Sequence, residues 1–295
     1  MVLLAHLSDP HLGPMPPVSA VDLINKRMIG YFNWSRNRIR IYDNAVIDAL
    51  LTDMRAAAPD HIAVTGDLSN IGLPAEFDNA RDWLRRLGSA EDVSVIPGNH
   101  DAYVPGAFEV LSRTWRAYMS GDESNGELFP YVRKRGPLAL IGVSTAVASL
   151  PLMATGRVGE QQVAALERAL ATTGRDGLFR VVLIHHSPVS KASQWERRLV
   201  DAGRVRAAIA RYGAELVLHG HNHRTSLSRI AGPNGPVPVV GAASASVRPG
   251  ARRPGGSYNL IRIERRAGAY SATMAERRFS NGGCVETVMD RQIVG

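Results

Sequence analysis

The residues of this chain that could do chemistry fall where its apolar runs stop. Asp9-Pro10-His11 follows the run 2–7, Gly66-Asp67-Leu68-Ser69-Asn70 the run 61–65, and Pro97-Gly98-Asn99-His100-Asp101 the run 92–96. His185-His186-Ser187-Pro188 follows 179–184, and His219-Gly220-His221-Asn222-His223 follows 214–218. Carboxylate oxygen, amide oxygen and imidazole nitrogen are the donors that hard and borderline divalent ions take. One ion takes about four to six of them, so this inventory exceeds one site and suits two. Two metals about 3.5–4 Å apart can clamp an in-line displacement at phosphorus, with a carboxylate bridging them. Each motif alone is weak, since a strand-end Asp is usually a cap and Gly98-Asn99 also suits a tight turn. Their joint occurrence at five run ends carries the reading. Gly66, Gly98 and Gly220 each precede a proposed donor, where a sharp turn or close backbone approach is needed.

To gather these residues, the apolar runs must be strands whose ends meet. The pattern predicts strands over 2–7, 61–65, 92–96, 138–143, 179–184 and 214–218. It predicts helices over 41–58, 74–87, 105–119 and 159–171, the second opened by Pro74. After Thr225 the chain turns β-rich, with strands expected over 227–230, 237–240, 258–263 and 270–274 between Pro/Gly turns. Strands alternating with helices, then a run of strands, predict an α/β fold with a second, largely antiparallel sheet and reactive residues on loops beyond the strand ends. No internal repeat or low-complexity linker interrupts the chain. One domain over 1–295 is expected, with the motifs in 9–223 and the strands of 224–295 completing the second sheet.

Composition sets the outer bounds. The chain has 295 residues, 45% hydrophobic and 21% charged, which is ordinary for a globular protein. No apolar run approaches the length of a membrane-spanning helix, and the opening stretch reads as a first strand rather than a signal peptide. The one cysteine, Cys284, makes an intramolecular disulfide impossible and fits a cytoplasmic setting. It reads as a bystander thiol with no base to activate it. A formal net charge of +8 favours anionic partners.

Taken together, the five motifs resemble the calcineurin-like metallophosphoesterases, whose pattern runs D-x-H, G-D, G-N-H-[DE], a His after an apolar strand, then G-H-x-H. The segments LSDPHLG, TGDLSNIGLPAEF, VIPGNHD, LIHHSP and LHGHNH are similar to the bacterial class III cyclic nucleotide and glycerophosphodiester phosphodiesterases. The resemblance implies a two-sheet β-sandwich flanked by helices, with a dinuclear site at one edge. It assigns Asp9, His11 and His223 to one metal, Asn99, His185 and His221 to the other, and Asp67 to both. His100 would contact the phosphate or protonate the leaving oxygen, and Asp101 would orient His100. The metals implied are two iron, manganese or zinc ions, with a metal-bridging hydroxide attacking phosphorus in line. His185 is favoured over His186 as ligand, because successive strand residues face opposite sides. His6, His61 and His219 read as core or supporting histidines.

Substrate choice is less legible. Asn70 is placed either to hydrogen-bond a phosphate oxygen or to stabilise its turn. The segment 25–40 interleaves Lys26, Arg27, Arg36, Arg38 and Arg40 with Tyr31, Phe32 and Trp34, with no acid between Asp22 and Asp43. It suits a clamp for an anionic substrate, a homodimer contact, a peripheral contact with the inner membrane surface, or a solvated basic face. Residues 195–198 and 248–253 read as solvated basic surface. The leading expectation is hydrolysis of small anionic phosphodiesters, cyclic nucleotides among them. A nucleotide-lipid (UDP-diacylglucosamine-type) pyrophosphatase and a DNA-processing nuclease are the alternatives; no extended arm for a nucleic-acid partner is evident.

Overall fold

The computed structural model describes residues 1–123, 126–189, 193–250 and 254–295. Twelve strands are described: β1 (Val2–Leu7), β2 (His61–Val64), β3 (Val93–Val95), β4 (Tyr131–Arg135), β5 (Leu138–Val143), β6 (Phe179–Ile184), β7 (Leu216–His219), β8 (Ser226–Ile230), β9 (Val237–Gly241), β10 (Ser257–Arg266), β11 (Ala269–Phe279) and β12 (Val285–Val294). Six α-helices accompany them: α1 (Arg27–Arg36), α2 (Asn44–Ala57), α3 (Pro74–Leu87), α4 (Ala107–Thr114), α5 (Glu160–Arg175) and α6 (Ala202–Tyr212).

The strands form two six-stranded sheets, ordered β12-β11-β10-β1-β2-β3 and β4-β5-β6-β7-β9-β8. Both are mixed. In the first, β1, β2 and β3 run parallel while β10, β11 and β12 continue from β1 antiparallel. In the second, β5, β6, β7 and β9 are parallel, with β4 and β8 antiparallel at the edges. The expectations of a largely antiparallel second sheet, and of 224–295 completing it, are therefore corrected: only β8 and β9 join it. β10–β12 extend the first sheet, because β10 pairs with β1, from Val2 opposite Ile263 to His6 opposite Asn259.

The central strands are buried on both faces, as parallel strands between layers must be. Alternation sorts their side chains. Val181 and Leu183 join the core shared with the first sheet, while Val182 and Ile184 face α5 and α6 through Leu166, Leu170, Val205 and Ile209. Burying each such side chain stabilises the fold by about 1.5–3 kcal/mol. α2 begins at the Asp43 cap, whose side chain accepts from the Ala45 N–H, so it starts later than the apolar spacing suggested. α3 has the predicted bounds; Glu76, buried, accepts from the Asn70, Ile71 and Leu73 N–H groups and ties the helix to the loop after β2. The single helix expected over 105–119 breaks at Trp115 into α4 and a short 3-10 turn, Arg116–Met119. Among the described residues, no helix is long and apolar enough to cross a membrane.

Candidate metal centre

The loops after β1 and β2 are zipped together by backbone bonds, Asp9 N–H to Gly66 O (3.0 Å), His11 N–H to Asp67 O (3.0 Å) and Leu12 N–H to Leu68 O (2.9 Å). The loop after β7 is tied in by Gly220 N–H to His185 O (3.1 Å) and by His221 N–H to the Asp9 carboxylate (3.0 Å). Ligating atoms of Asp9, His11, Asp67 and His223 consequently lie within 4.8 Å of one another, and so do those of Asp67, His185 and His221. Asn99 Oδ1 stands 3.2 Å from His185 Nε2, which adds it to the second group. Asp67 belongs to both. The seven residues expected as ligands thus converge from five loops, and nitrogens that would repel as lone pairs face each other, His11 Nε2 and His223 Nε2 at 3.3 Å. Such a cluster of oxygen and nitrogen donors fits two divalent ions sharing a carboxylate.

Backbone carbonyls set which nitrogen each histidine offers. His185 Nδ1 faces Thr65 O at 2.6 Å and His11 Nδ1 faces Ser69 O at 3.2 Å, leaving Nε2 inward in both. His221 Nε2 faces Arg197 O at 2.8 Å, leaving Nδ1. A carbonyl on one ring nitrogen fixes the tautomer and ring orientation for the other. Burial and the Arg38 charge hold the His11 imidazole well below its usual pKa, and burial and His186 do the same for His221, so both keep free lone pairs. Burial also presses on His185, but the Asp67 carboxylate 3.4 Å away outweighs it and lifts this imidazole to about 9. His186 spends both ring nitrogens elsewhere, on Thr145 Oγ1 (2.7 Å) and Ala154 O (3.0 Å), with its ring 4.2 Å from that of His221. His6 and His61 meet Thr65 Oγ1 and Ser94 Oγ in the core.

Five of the seven donors hold left-handed backbone: Asp9 (φ 52°), His11 (φ 40°), Asp67 (φ 55°), His221 (φ 65°) and His223 (φ 53°). Left-handed backbone costs a non-glycine residue about 1–2 kcal/mol. Five such residues together oppose a sum comparable to the whole net stability of a domain. Strain of this kind persists where surrounding structure over-determines it, and it concentrates at functional sites.

A cleft of about 460 Å3 opens over the donors, lined among others by Asn33, Asn37, Arg38, Tyr42, His100 and Arg197. His223, its side chain 21% exposed, is the most open of the histidine donors. Arg38, from the 3-10 turn after α1, places Nη2 2.9 Å from His100 Nε2, while His100 Nδ1 faces Asn70 O at 2.5 Å. Burial and Arg38 hold His100 down at about 3, so it is neutral and its Nε2 is capped by a guanidinium. Part of the basic segment 25–40 therefore does line the site, and Arg38 presents the cation there. Arg38→Ala is expected to raise KM about tenfold and lower kcat less, read in steady-state kinetics; an unchanged KM would contradict its place on the cleft wall.

Three expectations change. Asp101 does not orient His100: its carboxylate accepts from Ser69 N–H (2.8 Å), Ser69 Oγ–H (2.9 Å) and Gly98 N–H (2.8 Å), joining the loops after β2 and β3. The orienting group is the Asn70 carbonyl, and the Asn70 side chain, buried, donates to Leu12 O (3.0 Å) rather than facing the cleft. Arg197 is not simple solvated surface, since it lines the cleft and donates to His221 O (3.0 Å). Of the other basic stretch, Arg248 pairs with Asp43, and 251–253 lie outside the described residues. Asp101→Ala should cost about 3 kcal/mol in urea unfolding, because it strands buried donors, whereas His100→Ala should cost much less; equal costs would count against this division.

The calcineurin-like phosphoesterase family model matches residues 2–225. The chain is 26% identical over 231 residues to glycerophosphodiester phosphodiesterase GpdQ of Enterobacter lignolyticus, covering 77% of this chain and 73% of that protein. A shorter match, 38% identical over 53 residues, links it to a probable cyclic nucleotide phosphodiesterase of Synechococcus sp., over 18% of this chain and 20% of that one. Among solved structures, a dimetal phosphatase from Danio rerio aligns at TM-score 0.65 and 13% identity over 99% of this chain and 98% of that one. A purple acid phosphatase from yellow lupin aligns at TM-score 0.63 and 13% identity, over 99% and 53%. At such identities these structures speak for the fold. The family match starts within β1 and ends just past His223, taking in every donor of the centre; the chain belongs to the calcineurin-like phosphoesterase family.

Proposed function

We propose that the protein is a phosphodiesterase for small anionic diesters, working with two divalent ions of the manganese, iron or zinc kind. The observation that carries this reading is the pair of donor groups sharing Asp67 at the floor of a two-walled cleft. When bound, such ions supply charge neutralisation at the phosphoryl oxygens and activation of water as the nucleophile. Asp9, His11 and His223 would hold one, Asn99, His185 and His221 the other, and Asp67 both. The chain's own part is placement. Asn33, Asn37, Arg38, Ile41 and Tyr42 form one wall and Ala154 with Arg197 the other, which leaves room for a substituent on each side of a phosphate. Among the described residues, Arg38 and Arg197 are the lysine or arginine side chains of that lining, and each is already engaged, by His100 and by the His221 carbonyl. A singly charged diester suits this sparing supply of cations better than a monoester dianion. The Arg38 guanidinium, which donates to the Nε2 of neutral His100, is placed to shift that donation to a substrate oxygen. The match to a glycerophosphodiester phosphodiesterase across most of both chains supports the same reading.

A Mn2+-supplemented panel tests it: bis-aryl phosphate, a glycerophosphodiester, cyclic nucleotide, nucleotide-lipid pyrophosphate, aryl monophosphate and single-stranded DNA. Diester turnover should exceed monoester turnover, with metal analysis finding close to two ions per chain. Robust monoester hydrolysis without diester hydrolysis would overturn the proposal.

A further inference from the structure

α1 is built inside out. It fully buries none of its residues; Tyr31 packs partly against the core, and the rest of its hold on the body comes from polar ties and one close approach. Lys26, at its start, donates from Nζ to Ser149 Oγ (2.9 Å) and Met153 O (2.9 Å). Arg27 donates to Ile71 O and Gly72 O (3.1 and 2.6 Å). Gly30 sits so near Tyr103 that a Cβ there would lie 2.5 Å from its hydroxyl oxygen. With Lys26 and Arg27 used inward, apolar side chains on the helix and just before it look out: Ile24 is 79% exposed, Met28 60% and Phe32 55%. The loop that Lys26 grips adds Leu150 and Leu152, 75% and 81% exposed. Its Ala154 N–H bonds Glu196 O (2.9 Å), which brings Trp195, 67% exposed, alongside.

Among the described residues, nine of the thirteen large apolar side chains that are exposed belong to these three segments, 21–39, 150–152 and 195. The first segment borders the cleft through Asn33 and Arg38, and the other two stand within two residues of its Ala154 and Arg197. Two of the exposed aromatics carry a guanidinium on the ring, Arg36 on Phe32 (4.0 Å) and Arg198 on Trp195 (4.4 Å), one on each side of the cleft. Arg40 is also exposed, and no acid occurs between Asp22 and Asp43. Apolar side chains ringed by cations on an otherwise basic protein complement an anionic lipid surface, with the rings at headgroup level and the arginines on phosphates.

We propose that the rim formed by α1, 150–152 and Trp195 docks the protein onto anionic phospholipid bilayers, with the mouth of the cleft facing the headgroups. Binding is read without turnover, so this inference stands apart from the substrate reading. The test is flotation of the Mn2+-loaded protein with vesicles of equal parts phosphatidylcholine and phosphatidylglycerol, against vesicles of phosphatidylcholine alone. The wild type should float with the first, and release as salt rises. Arg36→Ala with Arg40→Ala should lower the partition coefficient about thirty-fold, at the usual strength of one basic residue near an anionic membrane. Ile24→Asp, Phe32→Asp and Leu152→Asp combined should abolish flotation. Both variants alter exposed residues and should keep the wild-type circular dichroism spectrum and melting temperature, which shows that they are folded. Absence of flotation by the wild type, or equal flotation by the aspartate variant, would overturn the proposal. So would light scattering that shows a wild-type dimer split by the aspartate substitutions, since the rim would then be covered by a second copy.

Discussion

Asp67→Asn is expected to lower kcat/KM by about 10³-fold or more, about 4 kcal/mol of transition-state stabilisation, and to leave the chain with fewer than two ions. Asparagine is the informative replacement. It tolerates the left-handed backbone that Asp67 adopts, and its amide oxygen can still accept from the His100 N–H, now 2.8 Å from Oδ1. The loop should keep its shape, so the loss would report the carboxylate charge itself. That charge belongs to both donor groups and balances His185 across 3.4 Å. Turnover and elemental metal analysis on the same preparation provide the check. Near-normal turnover with two ions per chain would show that the bridging role has been misassigned.

Gly220→Ala should do nearly as much harm from a position that touches no substrate. A methyl there would land on Ser8 Oγ and come 2.5 Å from Asp9 Oδ2. Neither can yield: both residues are fully buried, and Ser8 Oγ donates to Thr65 O. Overpacking of this kind costs about 1–3 kcal/mol, and displacing a reactive group by about 1 Å can cost about 10²-fold in rate. Loss of activity of that size with a lowered melting temperature is the expected result. Gly268→Ala is the control. Its φ of +85° makes alanine strained, but nothing lies within 4 Å of the added carbon. It should cost about 1 kcal/mol of stability and leave kcat unchanged. Equal loss of activity in both variants would mean that general destabilisation, not pressure on Asp9, is being measured.

The contrast between donors and their supports shows what a sequence makes visible. Aspartate, asparagine and histidine at strand ends are conspicuous by type, and β1, β5, β6 and α3 have the bounds their apolar spacing suggested. Alternation along β6 also separated His185 from His186. What was hidden depends on partners distant in the chain. Asp101 and Asn70 act through backbone groups, which leave no mark in residue type. Arg38 was conspicuous as a charge, but its position beside His100 depends on a turn that periodicity does not reveal. β12 was missed because its exposed edge carries Glu286, Thr287, Asp290 and Arg291, which mask any apolar alternation. α6 hides its three buried residues among alanines and arginines. The sheet to which β10 belongs is decided by pairing with β1, far outside any local window.

That pairing also fixes a schedule. β10 is synthesised about 250 residues after the strand it flanks, roughly ten to fifty seconds later at ordinary translation speed. Until β10 is made, β2 is the only one of the two neighbours of β1 that can have been synthesised. His221 and His223 emerge late in the same interval, so a nascent chain cannot complete either donor group until most of it has left the ribosome. A full donor set for either group is therefore available only after about three-quarters of the chain has been made, and the partner that covers the other edge of β1 comes later still.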